Sequence, residues 1–203
     1  MTSSGGNLGE QFAISFLSKY ELRVERFTKD EMRHGKTPDF RVFKGGDFVF
    51  YSEAKHVQHD EWLDKQLETA KPLELVGGLR HDPIFNRLAD RIHDAARQFK
   101  SVNSSREFPN VLIFTNSDRQ CGFPDLRGVL TGNFYAEGGH VEPIYKSISE
   151  GRIREEKLTI DLYVWLNEWK GYGQKGSMYF VEGKHYEYLC KLLGTDPSQH
   201  RRV

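Results

Sequence analysis

Thr37-Pro-Asp-Phe-Arg-Val-Phe-Lys-Gly-Gly-Asp-Phe-Val-Phe-Tyr-Ser-Glu-Ala-Lys55 is the stretch whose reading decides the fold. Two apolar runs flank a glycine pair, the pattern of a β-hairpin. Side chains alternate faces along a strand, so Glu53 and Lys55 share one face and Ala54 takes the other. A two-residue turn at Gly45-Gly46 pairs Lys44 with Asp47 and Asp39 with Ser52, and turns the two acids to opposite faces. A three-residue loop of Gly45, Gly46 and Asp47 pairs Lys44 with Phe48 and Asp39 with Glu53. It also puts Phe40, Val42, Phe50 and Ala54 on one face and Asp39, Arg41, Tyr51, Glu53 and Lys55 on the other. Hydrophobic patterning favours this second register, which is the one predicted. It brings two carboxylates and an amine to one end of the hairpin, as magnesium-assisted attack on a phosphodiester requires.

Pro38-Asp39 followed by Glu53-Ala54-Lys55 resembles the motif of the PD-(D/E)XK nuclease superfamily. The resemblance implies a restriction-endonuclease-like α/β sandwich, with a central mixed β-sheet flanked by helices and the motif on two adjacent central strands. It implies a magnesium-dependent phosphodiester hydrolase, an endonuclease acting on nucleic acid, with DNA the expected substrate. Asp39, Glu53 and the Ala54 main-chain carbonyl would hold Mg2+ or Mn2+, and Lys55 would orient the attacking water and neutralise charge on the phosphoryl group. An acid on the first core helix often reaches the metal cluster in this family, and Glu10 is the matching residue. Products would carry a 5′-phosphate and a 3′-hydroxyl.

Glu10 also has a reading from its own surroundings. Leu8, Phe12, Phe16 and Tyr20 recur every fourth residue and predict a helix over 7–20. Glu10 borders the buried stripe near Ala13, Ile14 and Leu17, where a carboxylate needs a partner. It would equally favour the first turn of the helix through the macrodipole.

Composition sets the bounds. A chain of 203 residues can bury a substantial core, and it is read as one domain over 1–203 with insertions at about 58–80 and 120–157. Cys121 and Cys190 offer neither a disulfide framework nor metal-ligand spacing. No apolar run approaches membrane-spanning length and the start Met-Thr-Ser-Ser-Gly-Gly is no signal peptide, so a cytoplasmic location is expected. The 29 basic and 29 acidic side chains cancel, whereas a chain that grips duplex DNA unaided is usually basic. Local cations must then suffice, and Arg33, His34, Lys36 and Arg41 around the hairpin are the candidates for nucleic-acid contact. Otherwise a second copy or a partner chain supplies the grip. Two further classes stay open: a nucleic-acid-binding module that has lost its chemistry, and a nuclease subunit of a transposition, restriction or phage-defence assembly.

Outward from the hairpin, Leu22 to Phe27 reads as a strand and Trp62 to Glu74 as a helix. Pro83 to Lys100 forms a strongly amphipathic helix with Ile84, Leu88, Ile92, Ala95 and Phe99 in one stripe. Asn110 to Thr115 is a continuous apolar run, expected to be a strand buried on both faces and parallel to the motif strand across the helical crossover. Leu158 to Leu166 and Ser177 to Val181 read as strands, Leu126 to Leu130 and Lys184 to Leu193 as helices. His56, His59 and Asp60 lack the further ligands of a transition-metal site and read as solvated polar residues. Gln98 could serve the site or face solvent. Gly77-Gly78 and Gly138-Gly139 lack the context of a nucleotide-binding loop.

Overall fold

The apolar run at Asn110–Asn116 forms a strand buried along its whole length, because alternate side chains enter two different cores. Val111 and Ile113 pack into one, Leu112 and Phe114 into the other. The computed structural model describes residues 4–33, 35–59, 61–76, 84–136 and 139–199. Its helices are α1 (Ser4–Ser18), α2 (Lys29–Arg33), α3 (Trp62–Thr69), α4 (Ile84–Val102), α5 (Phe123–Thr131) and α6 (Tyr186–Leu192). Its strands are β1 (Arg23–Arg26), β2 (Phe40–Lys44), β3 (Asp47–Val57), β4 (Asn110–Asn116), β5 (Asn133–Tyr135), β6 (Val141–Pro143), β7 (Leu162–Asn167) and β8 (Ser177–Phe180).

One six-stranded sheet runs in the order β1-β2-β3-β4-β7-β8, and β5 and β6 pair apart from it. The pairs β3/β4 and β4/β7 are parallel, while β1/β2, β2/β3 and β7/β8 are antiparallel. The sheet is therefore mixed, and the helical crossover produces the expected parallel pairing of the motif strand with β4. Phe12, Phe16 and Leu17 of α1 and Leu189 of α6 cover one face, against Val42, Phe50, Ile113 and Val164. Leu88, Ile92 and Phe99 of α4 and Leu126 of α5 cover the other, against Leu112, Phe114, Tyr163 and Trp165. Each such side chain contributes roughly 1.5–3 kcal/mol by leaving water, and the result is an α/β sandwich with helices on both faces. Among the described residues no helix is long and apolar enough to cross a membrane.

The hairpin closes differently from the predicted loop. Lys44 pairs with Asp47 across a two-residue turn, in which Gly45 and Gly46 have φ of 59° and 103°. Glycine takes such angles at little cost, and two of them in succession match the twist of a tight hairpin. The register then shifts: Phe43 faces Phe48 but Val42 faces Phe50, leaving Val49 unpaired. Val49 and Phe50 are both buried in the α1 core, so this bulge puts two consecutive apolar residues on one face. Below it Arg41 faces Tyr51 and Phe40 faces Ser52, which sets Asp39 opposite Glu53. The predicted outcome at the acids holds, reached through a bulge instead of a longer turn.

Other boundaries moved for local reasons. Leu8 is 43 % exposed, whereas Ala13 and Leu17 are buried with Phe12 and Phe16. A strict four-residue repeat advances about 40° per step on a helix, so its first member drifts off the buried stripe. The helix expected up to Glu74 ends at Thr69, two residues short of Lys71-Pro72. The strand expected from Leu158 starts at Leu162; Glu156–Leu158 is a 3-10 turn with Leu158 exposed, and Asp161 accepts the Asn110 N–H through its side chain at 2.9 Å. Helix α2 and the β5/β6 pair have sequences too short for a periodic signal. Pro83, Asp60, Gly77-Gly78 and Gly138 lie outside the described residues.

Candidate functional site

Asp39 and Glu53 are joined crosswise between the two motif strands. The Asp39 N–H donates to Glu53 Oε2 at 2.8 Å, and the Ala54 N–H donates to Asp39 Oδ2 at 2.9 Å. Lys55 Nζ lies 2.6 Å from Glu53 Oε1. The strand's alternation thus delivers both acids and the amine to one spot on the α4 side of the sheet. Pro38, buried just before Asp39, fixes the chain as it enters β2.

Glu53 is only 2 % exposed. Burial first, then the neighbouring Asp39 carboxylate, push its carboxyl up to about 8, against the opposing pull of Lys55. Burial also raises Asp39; its bond from the Ala54 N–H works against this, and Glu10 adds to the rise. Water exclusion and like charge therefore outweigh a direct ammonium contact. Two carboxylates that repel each other in a dry setting are stabilised by a cation between them. Among the described residues no group of three His, Cys, Asp or Glu side chains is arranged to hold a metal ion. Two carboxylates with a main-chain carbonyl suit Mg2+, which keeps several waters and takes substrate phosphate oxygens as ligands. The residues present fit such an ion.

Glu10 comes close enough to act on the Asp39 charge but is tied to Arg26 by an ion pair, with its side chain 24 % exposed. Its neighbour Gly9 explains how α1 comes so near: a Cβ at Gly9 would stand 2.6 Å from Thr115 Oγ1 of β4. A glycine there allows the helix to touch the sheet.

Gln98 of α4 completes the constellation. Its Oε1 accepts from Lys55 Nζ at 2.8 Å, and its Nε2 donates to the Thr37 carbonyl at 3.0 Å. Ser101 Oγ donates to the Lys36 carbonyl at 2.6 Å. Helix α4 therefore grips both the motif lysine and the segment leading into Asp39. Lys55 and Gln98 open onto a cleft of about 350 Å³, lined also by Lys36, Thr37 and Asp94. A second cleft of about 330 Å³ adjoins it through Gly35 and Thr37 and reaches Phe27 and Arg41.

The expected nucleic-acid contacts fare unequally. Lys36 is exposed at the cleft. Arg33 is exposed and paired with Asp30 at 3.1 Å. Arg41 pairs with Glu31 and stacks on Phe27 at 3.9 Å, so its guanidinium is committed to holding α2. That bond, with help from Thr28, holds Glu31 down near 2. His34 lies outside the described residues.

His56 is not the solvated residue expected, whereas His59 is exposed, as expected. His56 Nδ1 lies 3.0 Å from Glu168 Oε1, with both side chains under 20 % exposed, and His59 Nε2 lies 2.5 Å from Asp64. Glu168 stands immediately after β7. Its position just past the carboxyl end of a parallel strand was the available signal, and the pairing with His56 stayed hidden because it joins residues distant in sequence. Comparisons of the chain with protein-family models, with curated proteins and with solved structures found no match.

Proposed function

We propose that the chain is a metal-dependent nuclease that hydrolyses phosphodiester bonds of nucleic acid, with DNA the expected substrate. The observation that carries this reading is the crosswise bonding of Asp39 and Glu53 with Lys55 at 2.6 Å, at the edge of a cleft. Asp39, Glu53 and the Ala54 carbonyl would hold Mg2+ or Mn2+, with Glu10 beside them. When bound, the ion supplies Lewis acidity at a phosphate oxygen and lowers the pKa of its water. The chain's own groups do the rest. Lys55, tethered by Gln98, is placed to orient the attacking water and to neutralise charge accumulating on the phosphoryl oxygens. Glu53 takes up a proton when the pocket holds no cation, because burial and Asp39 favour its neutral form.

A second version of this reading makes the chain the cleaving subunit of a larger assembly. It is favoured by zero formal charge and by the commitment of Arg33 and Arg41 to acidic partners. A cleavage assay with Mg2+ on labelled single-stranded, duplex and branched DNA and on RNA tests both. Cleavage by the wild-type chain that disappears in Asp39→Ala is the expected result. Products from both chains alike, or none from either on any substrate, would count against the enzyme.

A further inference from the structure

The connection between β7 and β8 reads Glu168-Trp-Lys-Gly-Tyr-Gly-Gln-Lys-Gly176, with two aromatic rings and two lysines against one acid. The acid is engaged, since Glu168 lies 3.0 Å from His56 Nδ1. Lys170 and Lys175 are exposed and have no ion-pair partner among the described residues. Trp169 is 42 % exposed and Tyr172 55 %. Large rings gain by leaving water, and these two stay in it although the chain beneath them is fixed. The Tyr172 ring lies flat on the buried Phe12 of α1, with centroids 4.1 Å apart and planes within 10°, so the face that water reaches is its outer one. Gln174 Nε2 donates to the Asn167 carbonyl and Lys19 Nζ to the Gln174 carbonyl, each at 2.5 Å. The loop is fastened at three points, and none of them uses the Trp169 ring, Lys170 or Lys175.

The loop also stands at the end of the sheet that Lys55 approaches, two residues before β3 stops. Strands β3, β4 and β7 are parallel, with His56, Thr115 and Leu166 in register. Glu168 follows Leu166 by two residues and reaches back to His56, the neighbour of Lys55. Two strand spacings, about 10 Å, separate β7 from β3. A single nucleic-acid strand matches this combination, because an aromatic face accepts any unpaired base and the ammonium groups beside it meet the phosphates. A duplex keeps its base faces stacked on one another. An acidic peptide would satisfy the lysines and leave both rings without a stacking partner.

We infer that the β7–β8 loop is a stacking platform for single-stranded nucleic acid, on which Trp169 and Tyr172 take bases and Lys170 and Lys175 meet the phosphates between them. That the strand is the one cleaved at Lys55 rests on the nuclease reading; the stacking does not. The test measures binding of labelled oligothymidylate, an abasic strand of equal length and a duplex to the Asp39→Ala chain without metal, at several salt concentrations. Oligothymidylate binds most tightly. Trp169→Ala and Tyr172→Leu, the second of which keeps Phe12 covered, each weaken it roughly tenfold and leave the abasic strand unaffected. Lys170→Ala and Lys175→Ala weaken both strands and flatten the salt dependence by about 0.7 of a unit of slope each. Tyr145→Ala, which removes an exposed ring outside this loop, changes nothing. Equal affinity for the thymidylate and abasic strands, thymidylate binding that is indifferent to Trp169 and Tyr172, or no binding of any strand overturns the proposal. Polyglutamate bound in a Trp169-dependent way while thymidylate is not would also overturn it, and would assign the surface to an acidic protein. Cleavage is not read, so an inactive wild type with ring-dependent binding removes the nuclease alone, and an active wild type without it removes the platform alone.

Discussion

Lys55 and Gln98 meet between strand and helix: the amine donates to the amide oxygen at 2.8 Å, and the amide nitrogen donates onward to the Thr37 carbonyl at 3.0 Å. Gln98 is therefore a positioning residue that acts through Lys55. Replacing it with Ala should lower kcat by on the order of ten- to a hundredfold while leaving KM and magnesium affinity nearly unchanged. Lys55→Ala should cost on the order of a hundredfold or more and also keep its metal affinity. The double variant should be no slower than Lys55→Ala alone, because the tether has nothing left to hold. Additive losses, measured by single-turnover kinetics, would separate the two residues.

Glu53 makes stability depend on pH. Its folded pKa, about 8, lies above the ordinary carboxylate value of 4.5. The contribution is therefore fully present below about pH 4.5 and is lost as pH rises through about 8, where folding must keep a charge buried. Urea unfolding without metal should show stability falling over this interval by on the order of a few kcal/mol. Glu53→Gln should flatten that slope, and saturating Mg2+ should offset it. An unchanged slope in Glu53→Gln would place the titrating group elsewhere.

Gly9→Ala should push α1 away from β4. The added methyl would meet Thr115 Oγ1 at 2.6 Å, and that short, fully buried side chain already contacts His56 and cannot swing clear. Alanine's better helix propensity offsets at most about 1 kcal/mol of the crowding, so a net loss of about 1–2 kcal/mol is expected. Thr115→Ser in the same background leaves the hydroxyl in place and should not rescue it, whereas Thr115→Ala should. Thermal melts of the three chains decide.

Of Lys36 and Arg41, the two expected nucleic-acid contacts that line the clefts, Arg41 is paired with Glu31 and Lys36 is exposed. Lys36→Ala should flatten the salt dependence of nucleic-acid binding by about one unit of slope. Arg41→Ala should leave that slope unchanged and instead loosen α2, whose Glu31 it holds and whose neighbour Phe27 it covers. Faster amide exchange over Lys29–Arg33 is the measurement for the second effect. A lower slope in Arg41→Ala would mean that its guanidinium leaves Glu31 for the substrate.

The sheet and its two cores were legible because their signals are periodic: alternation in β2 and β3, the stripe of α4, the unbroken apolar run of β4. The relation of Asp39 to Glu53 was legible because the polar face and the apolar face had to sort together. What the pattern could not convey depends on contacts distant in sequence. Gln98 could be weighed only as useful or solvated until α4 lay against β3. Arg41 read as a phosphate contact because its partner Glu31 belongs to a helix too short to reveal itself. The strand expected from Leu158 starts late because Glu156–Leu158 forms a 3-10 turn, and Asp161 then exchanges two bonds with Asn110, its N–H to the Asn110 carbonyl and its side chain from the Asn110 N–H.

The bulge at Val49 has a counting consequence. Between Asp39 and Glu53 stands an odd number of residues. Residues facing one another across a two-residue turn have an even number between them, so one residue must be left over. It can sit in a longer turn or in the strand, and the alignment of the acids is the same in both cases. For this spacer the number of turn residues plus bulged residues, and not the kind of turn, is the quantity that the chemistry constrains. The tip is free to be rebuilt by any change that keeps the remainder at one: a residue gained at the Gly45-Gly46 turn can be matched by one lost at Val49, with Glu53 still facing Asp39.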